Sequence, residues 1–200
     1  YEAGVKAGAA TLMSSFNDIS GTPGSANHYT MTEILKNRWK HDGFVVSDWS
    51  AVPQLIDQGH AADRKEAARL AFNAGLEMDM TGNCYDRHMA KLVEEGKISM
   101  QLVDVAVKRV LRIKFRLGLF DNPYTPTSTE KERFLLPQSL TIAEKLAEET
   151  IVLLKNENKV LPLANGNKPT IAVMGPLVQN SAELLGSWYG HGHADDVLPI

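Results

Sequence analysis

An acid closes the apolar run Gly43-Phe44-Val45-Val46-Ser47-Asp48-Trp49. Three apolar residues bounded by a glycine have the length and character of a short strand covered on both faces. Such a strand ordinarily ends in Gly, Asn or Pro. Here it ends in Asp48, with a large aromatic side chain, Trp49, directly after it. A carboxylate held at a strand end can act in catalysis; an aspartate in that place can equally cap the helix that follows. A second acid, Asp79, sits at the end of Ala74-Gly75-Leu76-Glu77-Met78-Asp79-Met80 and reads as a structural acid that caps or pairs locally.

Other chemistry-bearing residues carry weaker patterns. His191, His193, Asp195 and Asp196 could share a metal ion, but their spacing fits no tight zinc pattern, and a loop of solvated charges is the better reading. Gly175-Pro176 lacks the glycine pattern of a dinucleotide fold, and the chain has no glycine-rich phosphate loop, which argues against nucleotide chemistry. The single cysteine, Cys84, excludes an intrachain disulfide and reads as a small buried hydrophobe.

These residues need elements to hold them. Ala9–Phe16 suits a strand, followed by a Gly, Pro, Ser and Asn-rich loop over 17–27, where Asn17 and Asp18 are turn formers. Thr30 with Glu33 predicts a capping box and a helix to about Lys40. After the Phe44–Ser47 strand, Asp63 with Glu66 predicts a second box, opening a helix that stops at Gly75. Leu76–Met80 is a third strand candidate. Helical periodicity returns over 85–95 and 99–117, where Val103, Ala106, Val110, Ile113 and Leu117 share a face. Strand and helix alternating in this way predict an α/β fold, and strands this short favour a (β/α) barrel over a doubly wound sheet.

The character changes after Phe120. Asp121–Thr129 is a linker by composition. Beyond it, Ile142, Leu146, Thr150, Ile151 and Leu154 mark an amphipathic helix, then come a turn after Leu163 and a strand over Thr170–Pro176. The predicted division is 1–120 for part of a barrel, 121–136 for the linker, and 137–200 for the start of a second α/β domain. The 200 residues are 44% hydrophobic and 22% charged, an ordinary globular balance. A net charge of −3 gives no field to draw in nucleic acid or anionic lipid, and no apolar run reaches membrane-spanning length. The chain opens at Tyr1 without Met and closes on an apolar segment, from which a fragment of a longer protein is expected.

Six separated stretches, in order, resemble glycoside hydrolase family 3 of the two-domain β-glucosidase type. They are Met13-Ser14-Ser15-Phe16-Asn17, Gly43–Trp49, Ala74–Met80, Gly118-Leu119-Phe120, Ile151–Asn156 with Leu161-Pro162-Leu163, and Ile171–Pro176. The resemblance implies that 1–120 are the C-terminal part of a (β/α)8 TIM-like barrel and 137–200 the start of an α/β sandwich, with Asp48 as the catalytic nucleophile of a retaining glycosidase. It implies a sugar site to which Trp49, Met13 and Phe16 contribute, although Trp49 and Met13 could also be plain packing residues. Phe16 departs from the family's usual tyrosine, so a hydroxyl contact is lost or replaced there. Gly186-Ser187-Trp188 resembles the glucosidase branch more than the xylosidase branch.

The same resemblance implies no cofactor and a substrate among β-glucosides or short β-glucan oligosaccharides. It sets the acid/base glutamate beyond Ile200 and the substrate-fixing residues before Tyr1. Periplasmic or secreted placement is the family's common one. β-Xylosidase, β-N-acetylhexosaminidase and a non-catalytic sugar-binding relative are the alternatives; oligomeric state stays open.

Overall fold

The computed structural model describes residues 1–126, 132–163 and 170–197, and the chain divides into two compact units, Tyr1–Ser128 and Thr129–Ile200. The first unit opens with a short helix, α1 (Glu2–Lys6), and strand β1 (Thr11–Met13). A small antiparallel hairpin follows, β2 (Asp18–Ile19) with β3 (Thr22–Pro23). Its turn residues Ser20 and Gly21 both have positive φ, and the Asp18 carboxylate accepts the Gly21 N–H at 2.9 Å. A helix over Tyr29–Arg38 then leads to strand β4 (Phe44–Val46). β1 and β4 pair in parallel, Thr11 with Phe44, Leu12 with Val45 and Met13 with Val46.

Helices α2 (Gln54–Asp57), α3 (Arg64–Ala74), α4 (Cys84–Glu94) and α5 (Met100–Arg116) complete the unit. The boundaries of α3 follow from chemistry at both ends. The Asp63 carboxylate accepts the Glu66 N–H at 2.8 Å, and Gly75 closes the helix at φ 104°, a left-handed conformation in which a side chain would also strike Thr32 and Lys36. Small residues Ala67, Ala68, Ala71 and Ala74 line its buried face and let it lie close to Val45, Leu76 and Leu92 in the core.

Two expectations for this unit need correction. The Tyr29–Arg38 helix is not capped by Thr30: the Asn27 side chain accepts the Thr30 N–H at 3.0 Å instead, and Glu33 accepts from Asn37. An asparagine offers the same acceptor as Thr three residues earlier, so the cap moves upstream. This helix is also wider than an α-helix, with i to i+5 bonding such as Trp39 N–H to Ile34 C=O at 2.9 Å. The expected strand at Leu76–Met80 is reduced to a single parallel bridge, Val46 with Met78. Side chains stand in for the backbone on both sides of that bridge.

In the second unit, helix α6 (Pro137–Thr150) begins with proline in its first turn and stops at Thr150, so Ile151–Leu154 lies outside it. A short helix α7 (Ser181–Leu184) is capped by Asn180, whose side chain accepts the Glu183 N–H at 3.3 Å. The expected Thr170–Pro176 strand is not formed; among the described residues no segment pairs with its backbone, and a lone strand has no ladder to hold it. The turn expected after Leu163 lies outside the described residues.

Candidate active site

Because β1 and β4 run in parallel, Met13 and Asp48 leave the pair at the same, C-terminal end. The backbone there is tightly fastened. Ser14 N–H donates to Val46 C=O at 2.9 Å from one side, and Ser47 N–H donates to Met78 C=O at 2.8 Å on the other. Asp48 follows, partly exposed, with its Oδ1 accepting the Trp49 N–H at 2.7 Å. Asp48 is not a helix cap: the residue before α2 is Pro53, with no side-chain bond to the helix. Its main-chain carbonyl accepts the Ala51 N–H at 3.0 Å, which turns the chain sharply away from the strand.

Trp49 is 52% exposed, Met13 52% and Phe16 39%, so none of the three is a core residue of this chain. Phe16 is held through its carbonyl, which accepts from the Gln58 side chain at 2.7 Å and so ties the loop after β1 to the end of α2. Met13 also lines an apolar cavity of about 240 Å³ between β1 and the Tyr29–Arg38 helix, with Leu12, Met31, Leu35 and Trp39. Asp48 does not line it, and with so little polar surface it is packing space rather than a site for sugar hydroxyls.

The two other acids nearby are engaged. Asp79 Oδ2 accepts the Cys84 N–H at 2.7 Å in the first turn of α4, where a carboxylate also meets the positive end of the helix dipole. Glu77, whose side chain is 6% exposed, forms an ion pair with Lys36 and lies 3.7 Å from Arg109 Nε. Burial lowers the Lys36 pKa, with the Glu77 charge opposing the shift. Arg109 also donates to the His41 and Gly43 carbonyls at 2.9 and 2.7 Å. Arg112 reaches the Asp42 carbonyl at 2.6 Å, and Arg116 pairs with the Asp42 carboxylate. Three arginines on one face of α5 thereby hold three consecutive residues leading into β4.

At the far end of the chain, the Asp196 carboxylate accepts the His193 N–H at 3.1 Å within a short turn. Among the described residues no three His, Cys, Asp or Glu side chains are grouped to hold a metal ion. None of the described helices is long and apolar enough to cross a membrane.

The residues missed by sequence reading are those that hold the acid rather than the acid itself: Ser47, Glu77, Arg109 and Gln58.

Parallel strands alternating with helices, with a carboxylate following a strand's C-terminal end, are the arrangement of a segment of a (β/α) barrel. Residues 1–113 match the family model described as the glycosyl hydrolase family 3 N terminal domain, and the chain belongs to that family. Residues 1–113 form part of that domain's barrel. The chain is 35% identical over 208 residues to a periplasmic beta-glucosidase of Salmonella typhimurium, covering 100% of this chain and 26% of that protein. It is 31% identical over 205 residues to a beta-xylosidase of Formosa agariphila, covering 95% of this chain and 28% of the other. Among solved structures, a beta-glucosidase from Listeria innocua in complex with glucose superposes with a TM-score of 0.84 at 36% identity, over 100% of this chain and 27% of that one. The chain thus spans about a quarter of the length of these relatives.

Proposed function

We propose that the protein hydrolyses terminal, non-reducing β-D-glucosyl residues with retention of configuration, and that Asp48 is its nucleophile. One observation carries this reading: a partly exposed carboxylate follows the C-terminal end of a parallel strand whose backbone is fastened on both sides. In the first step an Asp48 carboxylate oxygen bonds to the anomeric carbon while the glycosidic C–O bond breaks and the departing oxygen takes a proton from an acid. In the second, water gives a proton to the conjugate base and attacks the same carbon, the ester bond to Asp48 breaks, and the carboxylate is restored. The partner carboxyl group of such a pair lies roughly 5–5.5 Å away. Glu77 does not suit that part, since it is paired with Lys36, and Asp79 is held through Oδ2 at the first turn of α4. The family resemblance assigns it to a glutamate outside these 200 residues.

Trp49 offers a flat exposed face for sugar C–H groups beside Asp48, and Met13 and Phe16 complete the rim. β-Glucosides or short β-glucan oligosaccharides are the substrates, and no cofactor enters the reaction. Periplasmic or secreted placement is supported by the Salmonella relative. A second reading, β-xylosidase, is favoured by the Formosa relative.

The test is intact-mass analysis of the longest reading frame containing this chain, before and after incubation with 2,4-dinitrophenyl 2-deoxy-2-fluoro-β-glucoside. One added fluoroglucosyl unit on the peptide holding Asp48 is expected. Labelling by the fluoroxyloside alone would transfer the assignment to a xylosidase, and a label on any other residue would remove Asp48 from its role. Replacing Asp48 with glycine is expected to lower kcat on aryl β-glucosides by roughly a thousandfold or more.

A further inference from the structure

The backbone around Asp48 departs from an ordinary parallel ladder in one informative way. With Val46 opposite Met78, a regular parallel pairing would give the Val45 N–H to the Leu76 carbonyl and the Met80 N–H to the Ser47 carbonyl. The two middle bonds keep the ladder's partners, Met78 N–H to Val45 C=O at 3.1 Å and Ser47 N–H to Met78 C=O at 2.8 Å, although the Val45 carbonyl also accepts the Glu77 N–H at 3.0 Å. The two outer bonds go to side chains. Val45 N–H donates to Glu77 Oε2 at 2.8 Å, while Leu76 C=O accepts the Tyr85 hydroxyl at 2.8 Å. Met80 N–H donates to Ser47 Oγ at 2.8 Å.

Ser47 is fully buried, and its hydroxyl acts in both directions. Having accepted from Met80, it donates to the Asp48 carbonyl at 2.9 Å, so a single side-chain oxygen links the neighbouring segment to the main chain of the acid. The chain beyond is held to the same segment. Ser50 N–H donates to Met80 C=O at 2.9 Å, and the Ser50 and Thr81 hydroxyls lie 3.1 Å apart. Both residues are left-handed, at φ 53° and 59°, a conformation a β-branched threonine adopts only where its surroundings enforce it.

We infer that Ser47 is a positioning residue for the reaction: its hydroxyl, standing in for a ladder carbonyl, ends the strand one residue early and fixes the peptide from which Asp48 projects. This rests on Asp48 being the nucleophile. A serine needed only to satisfy a buried N–H would affect stability. A serine that aims the acid must affect the step in which Asp48 attacks, while leaving sugar binding in place. Displacing a reacting group by about 1 Å can cost on the order of a hundredfold.

The same fluoroglucoside separates these roles. Its dinitrophenolate departs without a proton, so the labelling rate reports the nucleophile and not the acid. Three proteins are compared by the saturating rate of labelling and by the half-saturating concentration, each scaled to the fraction folded in a thermal melt: the wild type, Ser47→Ala and Ser47→Thr. The Ala variant is expected to label roughly tenfold or more slowly with the half-saturating concentration within about twofold of wild type. The Thr variant, which keeps the oxygen, is expected to recover most of the rate. Wild-type labelling rates in the folded Ala variant would overturn the assignment of Ser47 alone, as would a Thr variant that folds but labels no faster than Ala. A wild type that takes no label at Asp48 would overturn the nucleophile reading and this assignment with it.

Discussion

His41 is buried, with its carbonyl accepting from Arg109, and its imidazole is held below the ordinary value of 6.5, first by burial and second by the arginine's charge, against a smaller opposing pull from Asp42 and Glu77. In the unfolded chain the ring protonates at its ordinary value, so the neutral ring stabilises the fold above that value and the contribution is lost as pH falls below it. Urea denaturation at about pH 7.5 and pH 5 should show a loss that His41→Gln largely removes. Cys84 shifts in the opposite direction for an acid: burial, then the Asp79 charge, push its thiol up to about 11. Its contribution is present below the unfolded value near 9.0 and fades as pH rises toward 11. At about pH 8, iodoacetamide should modify Cys84 in the folded protein at least roughly a hundredfold more slowly than in urea. The burial of Cys84 and the place of Asp48 at a strand's end were legible in the residues. Ser47 was not, because nothing in a sequence says which oxygen will face a given N–H once two strands meet.

At the scale of elements, strong local chemistry was legible and long-range substitution was not. Asp63, Glu66 and Gly75 mark both ends of α3 within a dozen residues, and Asp63→Ala should cost about 1 kcal/mol, read as a shift in the urea midpoint. The Tyr29–Arg38 helix illustrates the converse, since Asn27 and Thr30 are both competent caps and only the path of the loop decides between them. The segment after Gly75 looked like a strand because its apolar pattern is a strand's. Its ladder is broken by Glu77, a carboxylate drawn inward by cations from elements 41 residues before it and 32 residues after it. Lys36→Met would leave that carboxylate without its main partner. A loss of about 3–5 kcal/mol is expected, with partial recovery on adding Glu77→Gln.

For the molecule as a whole, the order of six short motifs was enough to indicate the family, although each alone is weak. The strand expected over Thr170–Pro176 failed at this scale, since pairing depends on a partner that composition cannot supply. If the stretch 121–136 is the linker its composition suggests, limited trypsin digestion should cut after the exposed Arg133 before it reaches α5 or α6, giving two fragments by mass. Cleavage within α5 first would argue against that boundary.

The three arginines of α5 grip residues that were made 66 to 74 positions earlier in the chain. During synthesis, the run into β4 therefore leaves the ribosome long before its clamp exists. At about 5–20 residues per second, the wait is roughly 3 to 15 seconds. For that interval the apolar Phe44-Val45-Val46 stretch has no arginine holding it in line, and it is a natural point for a chaperone to engage or for a truncated message to yield aggregate.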